Sequence, residues 1–461
     1  MNDEAIVKQA EEIVDSLTIE PEKEMVEEST FVDVSNIKPL CVDDLVSVLG
    51  QTIKKDEINK LLTFLTELSA YTGDSQLNIS FNAPSSTGKS FIPTEVAKLF
   101  PQEDIIEVGY CSPTAFFHDY GVFDEKRKGY VVDLSRKIII FLDQPHDLLL
   151  QHLRPILSHD KKEIHLKITD KSQKAGLRTK NILLIGYPVV VFCTAGLRID
   201  EQEATRFLLL SPEINQEKIR QAVLEKIKKE VNPDAYRLAL INNPERKLLI
   251  DRIRAIRQEK IQNVRIPAEN LVISKFMERV KMLKPRHQRD ISRVINLVKI
   301  FALLNLWFRD REEQGIVANE TDINDAFAVW DQIAESQELN LPPYVFNFFY
   351  DVITPAYNKK NSELTDGEKT GLTRQEISQE HYRVYGRFIP DWQLRQQIIP
   401  MLETAGLIYS EADKLDKRKI LIYPTVPLTI SSPQNYSELD GGVTENIKEE
   451  ETHMEQMELN D

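Results

Sequence analysis

Two kinds of hydrophobic spacing alternate along the chain, and their order predicts its architecture. Lys137-Ile138-Ile139-Ile140-Phe141-Leu142-Asp143 and Pro188 to Ala195 are almost continuously apolar, as in strands buried on both faces of a parallel sheet, and Leu77 to Phe81 reads as a short apolar strand. Asp104 to Gly109 adds a weaker strand. Between these runs the period changes to two. In Glu163-Ile164-His165-Leu166-Lys167-Ile168-Thr169 apolar and polar residues alternate, and Asn181 to Ile185 returns after a tip at Asp170 to Thr179, which predicts a half-buried hairpin. Gly121 to Ser135, charged and interrupted by Tyr130-Val131-Val132, reads as a second hairpin, and Ser112 to Tyr120 as a helix. Spacing at three and four marks helices over Val42 to Leu68, with Lys54, Lys55, Glu57 and Lys60 outside, and over Leu148 to Ser158. Glu213 to Glu335 is helical and polar-faced, broken at Pro244, Pro267 and Pro285. Beyond Leu341, helices at Pro343 to Tyr357, Thr373 to Tyr382 and Asp391 to Ala405 precede two short strands, Gly406 to Tyr409 and Lys419 to Tyr423, the order of a winged helix-turn-helix. The predicted fold class is α/β, organised as 1–36 acidic tail, 37–212 α/β core, 213–338 helical lid, 339–428 winged-helix domain and 429–461 acidic tail.

Charge changes this picture when it is divided along the chain. The formal net charge is −15 over 461 residues, which argues against nucleic acid. Residues 1–36, however, hold 11 acids against 2 lysines, and residues 431–461 hold 9 acids against 1 lysine, so the remainder is near +2. Both tails lack aromatic clusters and apolar periodicity, and their composition predicts solvated, disordered segments. Cys41, Cys111 and Cys193 are widely spaced and form no metal-ligand pattern, which fits reduced thiols and a cytoplasmic protein. No apolar run reaches the length of a membrane span, and the N-terminus is acidic where a signal peptide is basic.

The chemistry is concentrated where the first strand ends. Ala83-Pro84-Ser85-Ser86-Thr87-Gly88-Lys89-Ser90 joins that strand to the Phe91 helix and matches a phosphate loop apart from Ala83 in place of its first glycine. Backbone N–H groups would cradle phosphates, Lys89 would neutralise the β and γ charges, and the Ser90 hydroxyl would hold Mg²⁺. Asp143 closes an apolar strand about fifty residues later, as a Walker B carboxylate holding Mg²⁺ does, and Gln144 follows where many ATPases have a glutamate. Thr194 ends the Pro188 strand, positioned either to contact the γ-phosphate and attacking water or to cap the backbone. Arg206 reads either as an arginine finger supplied to a neighbouring subunit or as a surface arginine paired with nearby acids. Arg286, Arg289 and Arg293 head a long apolar helix from which one could reach a phosphate.

This succession of phosphate loop, Walker B strand, basic hairpin before a polar-ended strand, Arg-Phe and arginine-headed helix resembles AAA+ ATPases. The hairpin, with Lys174-Ala175-Gly176 at its tip, is similar to that of the pre-sensor-1 clade, which includes the minichromosome-maintenance helicases and their small relatives in mobile elements. The resemblance covers about residues 40 to 335 and implies a three-layer sandwich with a helical lid, ATP and Mg²⁺ as cofactors, and a hexameric ring of identical chains. It makes Thr194 sensor 1, Arg206 the finger and Arg289 the leading sensor 2, with Gln144 at the catalytic-base position. Such helicases also carry a C-terminal winged helix. DNA contacts are then expected from Lys171, Lys174, Arg178 and Lys180 in the hairpin, and from Arg387, Arg395, Lys414, Lys417, Arg418 and Lys419 in the winged domain. The implied function is a DNA-dependent helicase or translocase that replicates a mobile element. An ATP-switched initiator or regulator with little hydrolysis is the alternative, because Gln144 is a poor base.

Overall fold

The computed structural model describes residues 34–109, 111–112, 121–127, 129–170, 178–197, 205–280, 282–362, 369–413 and 416–425. The chain divides into Met1–Asn36 and Ile37–Asp461, and every element named below lies in the second unit. The predicted tails fall largely outside the described residues, as does the predicted helix over 113–120.

A five-stranded sheet forms the centre of the α/β portion. It contains β1 (Ile79–Asn82), β2 (Ile105–Val108), β5 (Ile138–Phe141), β8 (Val189–Thr194) and β9 (Leu208–Leu210), in the order β2-β5-β8-β1-β9 with every pairing parallel. The continuous apolar runs are explained by the pleat, which sends successive side chains to opposite faces. Ile138, Ile140, Val189, Val191 and Cys193 enter one core, whereas Ile139, Phe141, Val190 and Phe192 enter another. Both faces are therefore covered. The first core also takes in helices α1 (Val42–Leu49), α2 (Glu57–Leu68) and α3 (Phe91–Ala97), and the second is closed by α4 (Asp147–Leu157). Removing a side chain such as Ile139, which is fully buried, costs about 2–5 kcal/mol in alanine-type truncations.

The two predicted hairpins merge into one sheet of order β3-β4-β7-β6. It contains β3 (Val122–Asp124), β4 (Gly129–Asp133), β6 (Glu163–Asp170) and β7 (Arg178–Ile185). Each hairpin is antiparallel, and β4 lies parallel to β7, with Tyr130 opposite Ile182 and Val132 opposite Leu184. Val132, Ile182 and Leu184 are buried against the core that holds α4.

Helices α5 (Gln216–Val231), α6 (Pro233–Asn242), α7 (Pro244–Glu259), α8 (Glu269–Arg279), α9 (His287–Leu304), α10 (Glu320–Asp331) and α11 (Ala334–Glu338) follow. The expectation of a purely helical segment needs one correction. Three short strands, β10 (Asn263–Arg265), β11 (Asp310–Glu312) and β12 (Gly315–Val317), form a small sheet between the helices. A second correction concerns Lys60. Expected on the outer face of its helix, it is 3% exposed and donates to the Ile53 carbonyl oxygen at 3.4 Å, because the segment before α2 folds back over it.

At the C-terminal end, α12 (Pro343–Phe348) runs through a π-helical turn (Phe349–Ile353) into α13 (Thr354–Ser362). Then come α14 (Arg374–Tyr385), α15 (Asp391–Gln393), a second π-helical turn (Leu394–Ile398), α16 (Ile399–Thr404), and the antiparallel pair β13 (Ile408–Ala412) and β14 (Ile420–Pro424). Leu372 bridges Ile422, adding a short third edge to the pair. This region has its own core, built around Tyr344, Phe348, Ile377, Ile398 and Ile422, and that core also includes Leu197 from just beyond β8. Among the described residues no helix is long and apolar enough to cross a membrane.

Candidate functional site

Register brings the predicted chemistry together. Phe141 lies opposite Phe192, and Thr194 lies opposite Asn82, so continuing both strands by two residues puts Asp143, Thr194 and the root of the 83–90 loop at one level. This is the carboxyl edge of the parallel sheet, where ligands of open α/β sheets bind. Gln144 and Thr194, 50 residues apart in sequence, meet directly: the Thr194 hydroxyl donates to Gln144 Oε1 at 3.0 Å. The same hydroxyl accepts from the Gly196 amide at 2.9 Å. Thr194 is therefore both a backbone cap and a partner of Gln144. Asp143 is exposed, and its carboxylate accepts from the Gln144 amide at 2.8 Å.

Within the loop, Ala83 stands at a position whose backbone does not require glycine. Ala83 is fully buried, and its amide donates to the Thr194 carbonyl oxygen at 3.4 Å. The left-handed conformations fall instead at Ser86 (φ 65°) and Gly88 (φ 96°). A Cβ built on Gly88 would meet no atom within 4 Å, so the loop faces open space there. Ser90 caps α3 without a side-chain bond and is exposed, leaving its hydroxyl available. Lys89 Nζ donates to the Pro84 carbonyl oxygen at 2.8 Å, folding the ammonium over the loop. Burial lowers the Lys89 pKa and Arg387 adds to the lowering, against the raising influence of Cys193 and Asp143. Cys193 donates its thiol to the Lys89 carbonyl oxygen at 3.3 Å, and burial pushes its pKa up to about 12. It is therefore a buried thiol rather than a nucleophile.

Several contributors carried no sequence signal for this site. Lys218, at the start of α5, pairs with Asp56 and donates to the carbonyl oxygens of Glu213 (2.9 Å) and Thr87 (3.4 Å), bracing the loop from below. Ser211 donates to the Asn82 carbonyl oxygen at 2.6 Å. Arg387 has a nucleic-acid role in the sequence expectation, yet its Nη1 donates to the Ser85 carbonyl oxygen at 3.5 Å. It therefore stands at the 83–90 loop. Surface spacing alone does not reveal such tertiary contacts.

The arginine candidates separate. Arg293 is buried: it bonds Asp290 at 3.2 Å and the carbonyl oxygens of Thr205 and Phe207, both at 2.9 Å, and burial lowers its pKa to about 10. Arg286 bonds Asp290 and Asn340. Both rivals of Arg289 thus have structural work, while Arg289 is exposed at the head of α9. Arg206, flanked by the two carbonyls that Arg293 holds, donates from Nε to Ser158 Oγ at 2.8 Å. His146 caps α4, accepting from the Leu148 amide at its Nδ1, so that nitrogen is occupied. Lys171, Lys174 and Lys414 lie outside the described residues, and of Arg178 and Lys180 only the backbone, in β7, is described. Arg395, Lys417, Arg418 and Lys419 are exposed around α16 and the β13–β14 turn.

A cavity of about 740 Å³ opens elsewhere, lined by Glu95, Lys98, Lys229, Tyr236, Arg246 and Arg254 among others. No residue of 83–90 lines it, and Ser85, Ser86 and Ser90 of that loop are exposed. Among the described residues no group of three or more His, Cys, Asp and Glu stands ready to hold a metal. A phosphate-bound Mg²⁺ needs only one or two protein oxygens besides the phosphates and water, and Ser90 and Asp143 fit that smaller requirement. No protein-family model matches the chain, and no curated protein is significantly similar to it in sequence.

Proposed function

We propose that this chain is an AAA+ ATPase with a three-layer α/β sandwich, a lid and a C-terminal winged helix, acting on DNA as a ring-forming motor. The observation that carries the reading is the meeting of Lys89, Asp143, Gln144 and Thr194 at the carboxyl edge of the sheet. Such a set binds a nucleoside triphosphate with Mg²⁺: loop amides and Lys89 take the phosphates, Ser90 and Asp143 hold the ion, and Gln144 with Thr194 orients water at the γ-phosphate. Exposed Arg395, Lys417 and Arg418 support contact with a nucleic-acid backbone. Assembly of identical chains is supported by an apolar stripe at a spacing of four on α5, Ile219, Val223, Ile227 and Val231, all exposed. In the single chain Arg206 is engaged with Ser158, so a finger role requires it to leave that hydroxyl when chains assemble.

One observation favours slow turnover and an ATP-held switch, the second reading. Gln144 is a neutral amide already accepting from Thr194, and an amide orients water without taking its proton. The test of the common core is nucleotide binding by the full chain and by Lys89→Ala. Loss of ATP and ADP binding in the variant, with unchanged thermal stability, is expected. Equal affinity in both proteins would remove the reading.

A further inference from the structure

Arg387 is held at the 83–90 loop from two directions. Its guanidinium reaches the Ser85 carbonyl oxygen at 3.5 Å, a long contact and its one hydrogen bond among the described residues. Its backbone is fixed through a chain of hydrogen bonds that ends at the root of the same loop. The Arg387 carbonyl oxygen accepts from His381 Nδ1 at 2.8 Å, and Tyr344 O–H donates to His381 Nε2 at 3.0 Å. A carbonyl only accepts, so the imidazole must carry its proton on Nδ1 and present a lone pair to Tyr344. The Tyr344 amide donates to Ser211 Oγ at 3.0 Å, and Ser211 donates to the Asn82 carbonyl oxygen at 2.6 Å, one residue before Ala83. Gly386, which closes α14 at φ 70°, turns the chain so that Arg387 leaves the helix toward the loop. That conformation costs a residue with a Cβ about 1 kcal/mol or more.

Two cations, Lys89 and Arg387, thus converge on the 83–90 loop, each donating to a loop carbonyl oxygen. Burial is the main cause of the lowered Lys89 pKa, and repulsion from Arg387 adds to it against the raising influence of Cys193 and Asp143. A phosphate chain seated on the loop would relieve that repulsion and offer the guanidinium far better acceptors than one distant carbonyl. Resting on the nucleotide reading above, we propose that Arg387 contacts the phosphates of the bound nucleotide in cis. The C-terminal unit is thereby coupled to occupancy of the loop. The His381–Tyr344–Ser211 chain is the positioning device: it fixes where the guanidinium starts without touching the ligand.

The experiment measures, with the full-length chain, calorimetric affinity for ADP and for a non-hydrolysable ATP analogue. It compares the parent, Arg387→Ala, Arg387→Lys and Lys89→Ala, and adds hydrogen exchange over residues 384–390 with and without the analogue. Arg387→Ala should weaken the analogue about tenfold or more, as expected for loss of a charge-assisted phosphate contact, and ADP by less, with an unchanged melting midpoint. Arg387→Lys should recover part of the loss, and nucleotide should protect 384–390 in the parent but not in Arg387→Ala. If Lys89→Ala loses binding while Arg387→Ala binds like the parent, the Arg387 contact is wrong and the nucleotide site stands. If Lys89→Ala also binds normally, the nucleotide reading fails and the contact fails with it. A fall in nucleotide-free DNA affinity in Arg387→Ala, with nucleotide affinity intact, would return Arg387 to DNA and overturn the proposal.

Discussion

His381 gives the positioning chain a pH signature. The ring is 1% exposed, and burial, aided by the nearby Arg387 charge, lowers its pKa to about 4 from an ordinary 6.5, even though the bond to the Arg387 carbonyl raises it. Between these values the unfolded chain binds a proton that the folded chain refuses, so stability falls as pH falls through this window. Each pH unit is worth about 1.4 kcal/mol, giving about 3 kcal/mol over the whole interval and about 2 kcal/mol between pH 7.5 and 5.0. Other groups titrate in the same range, so the useful quantity is the difference from His381→Asn. The amide of that variant still offers an N–H toward the Arg387 carbonyl but has no proton to gain. At pH 7.5 the variant should be less stable by about 1–2 kcal/mol, because the buried Tyr344 hydroxyl loses a good acceptor. By pH 5.0 the gap should close, since only the parent pays for keeping an imidazole neutral. Urea unfolding followed at both pH values by tyrosine and tryptophan fluorescence measures this directly. Parallel pH dependence in the two proteins would refute the buried neutral state of His381.

Three further outcomes follow from the geometry. Gln144→Glu restores a group able to accept a proton beside Thr194, so ATP turnover at saturating nucleotide and single-stranded DNA should rise about tenfold or more; no gain would place the attacking water elsewhere. Replacing Arg395, Lys417 and Arg418 together with alanine should weaken DNA binding on every sequence. It should also reduce the slope of log affinity against log salt by about 2–3, with nucleotide affinity unchanged; an unaltered slope would remove the C-terminal unit from the DNA interface. Glu67 is fully buried, neither carboxyl oxygen has a hydrogen-bond partner among the described residues, and burial raises its pKa well above the ordinary value. Its stabilising contribution is therefore greatest below the unfolded pKa and is lost as pH rises, so Glu67→Gln should melt higher than the parent at pH 8 but not at pH 4; a lower midpoint at pH 8 would show that the carboxylate has a compensating partner.

The α/β character, four of the five parallel strands and both hairpins were legible in the sequence because each rests on local periodicity, whereas the three residues Leu208–Leu210 are too short a run to read as a strand. A run such as Ile138 to Phe141 has one economical use, a strand covered on both faces. The Ala83–Ser90 turn and the strand end at Asp143 were legible as turns because small residues and a carboxylate directly follow apolar runs. Register, however, joins residues far apart in the chain, and only the folded sheet could bring Thr194 to Gln144. The burial of Lys60 was hidden because spacing on one helix does not reveal what folds over it. Arg293 and Arg289 are equivalent cations in a short basic stretch, but packing on the Thr205–Phe207 backbone buries the first and leaves the second in solvent. For Arg387 the sequence determined a long cation beside a helix end. Whether that cation faced solvent or the 83–90 loop depended on docking of the C-terminal core through Leu197, Ser211 and Tyr344, a long-range packing decision that no local pattern encodes.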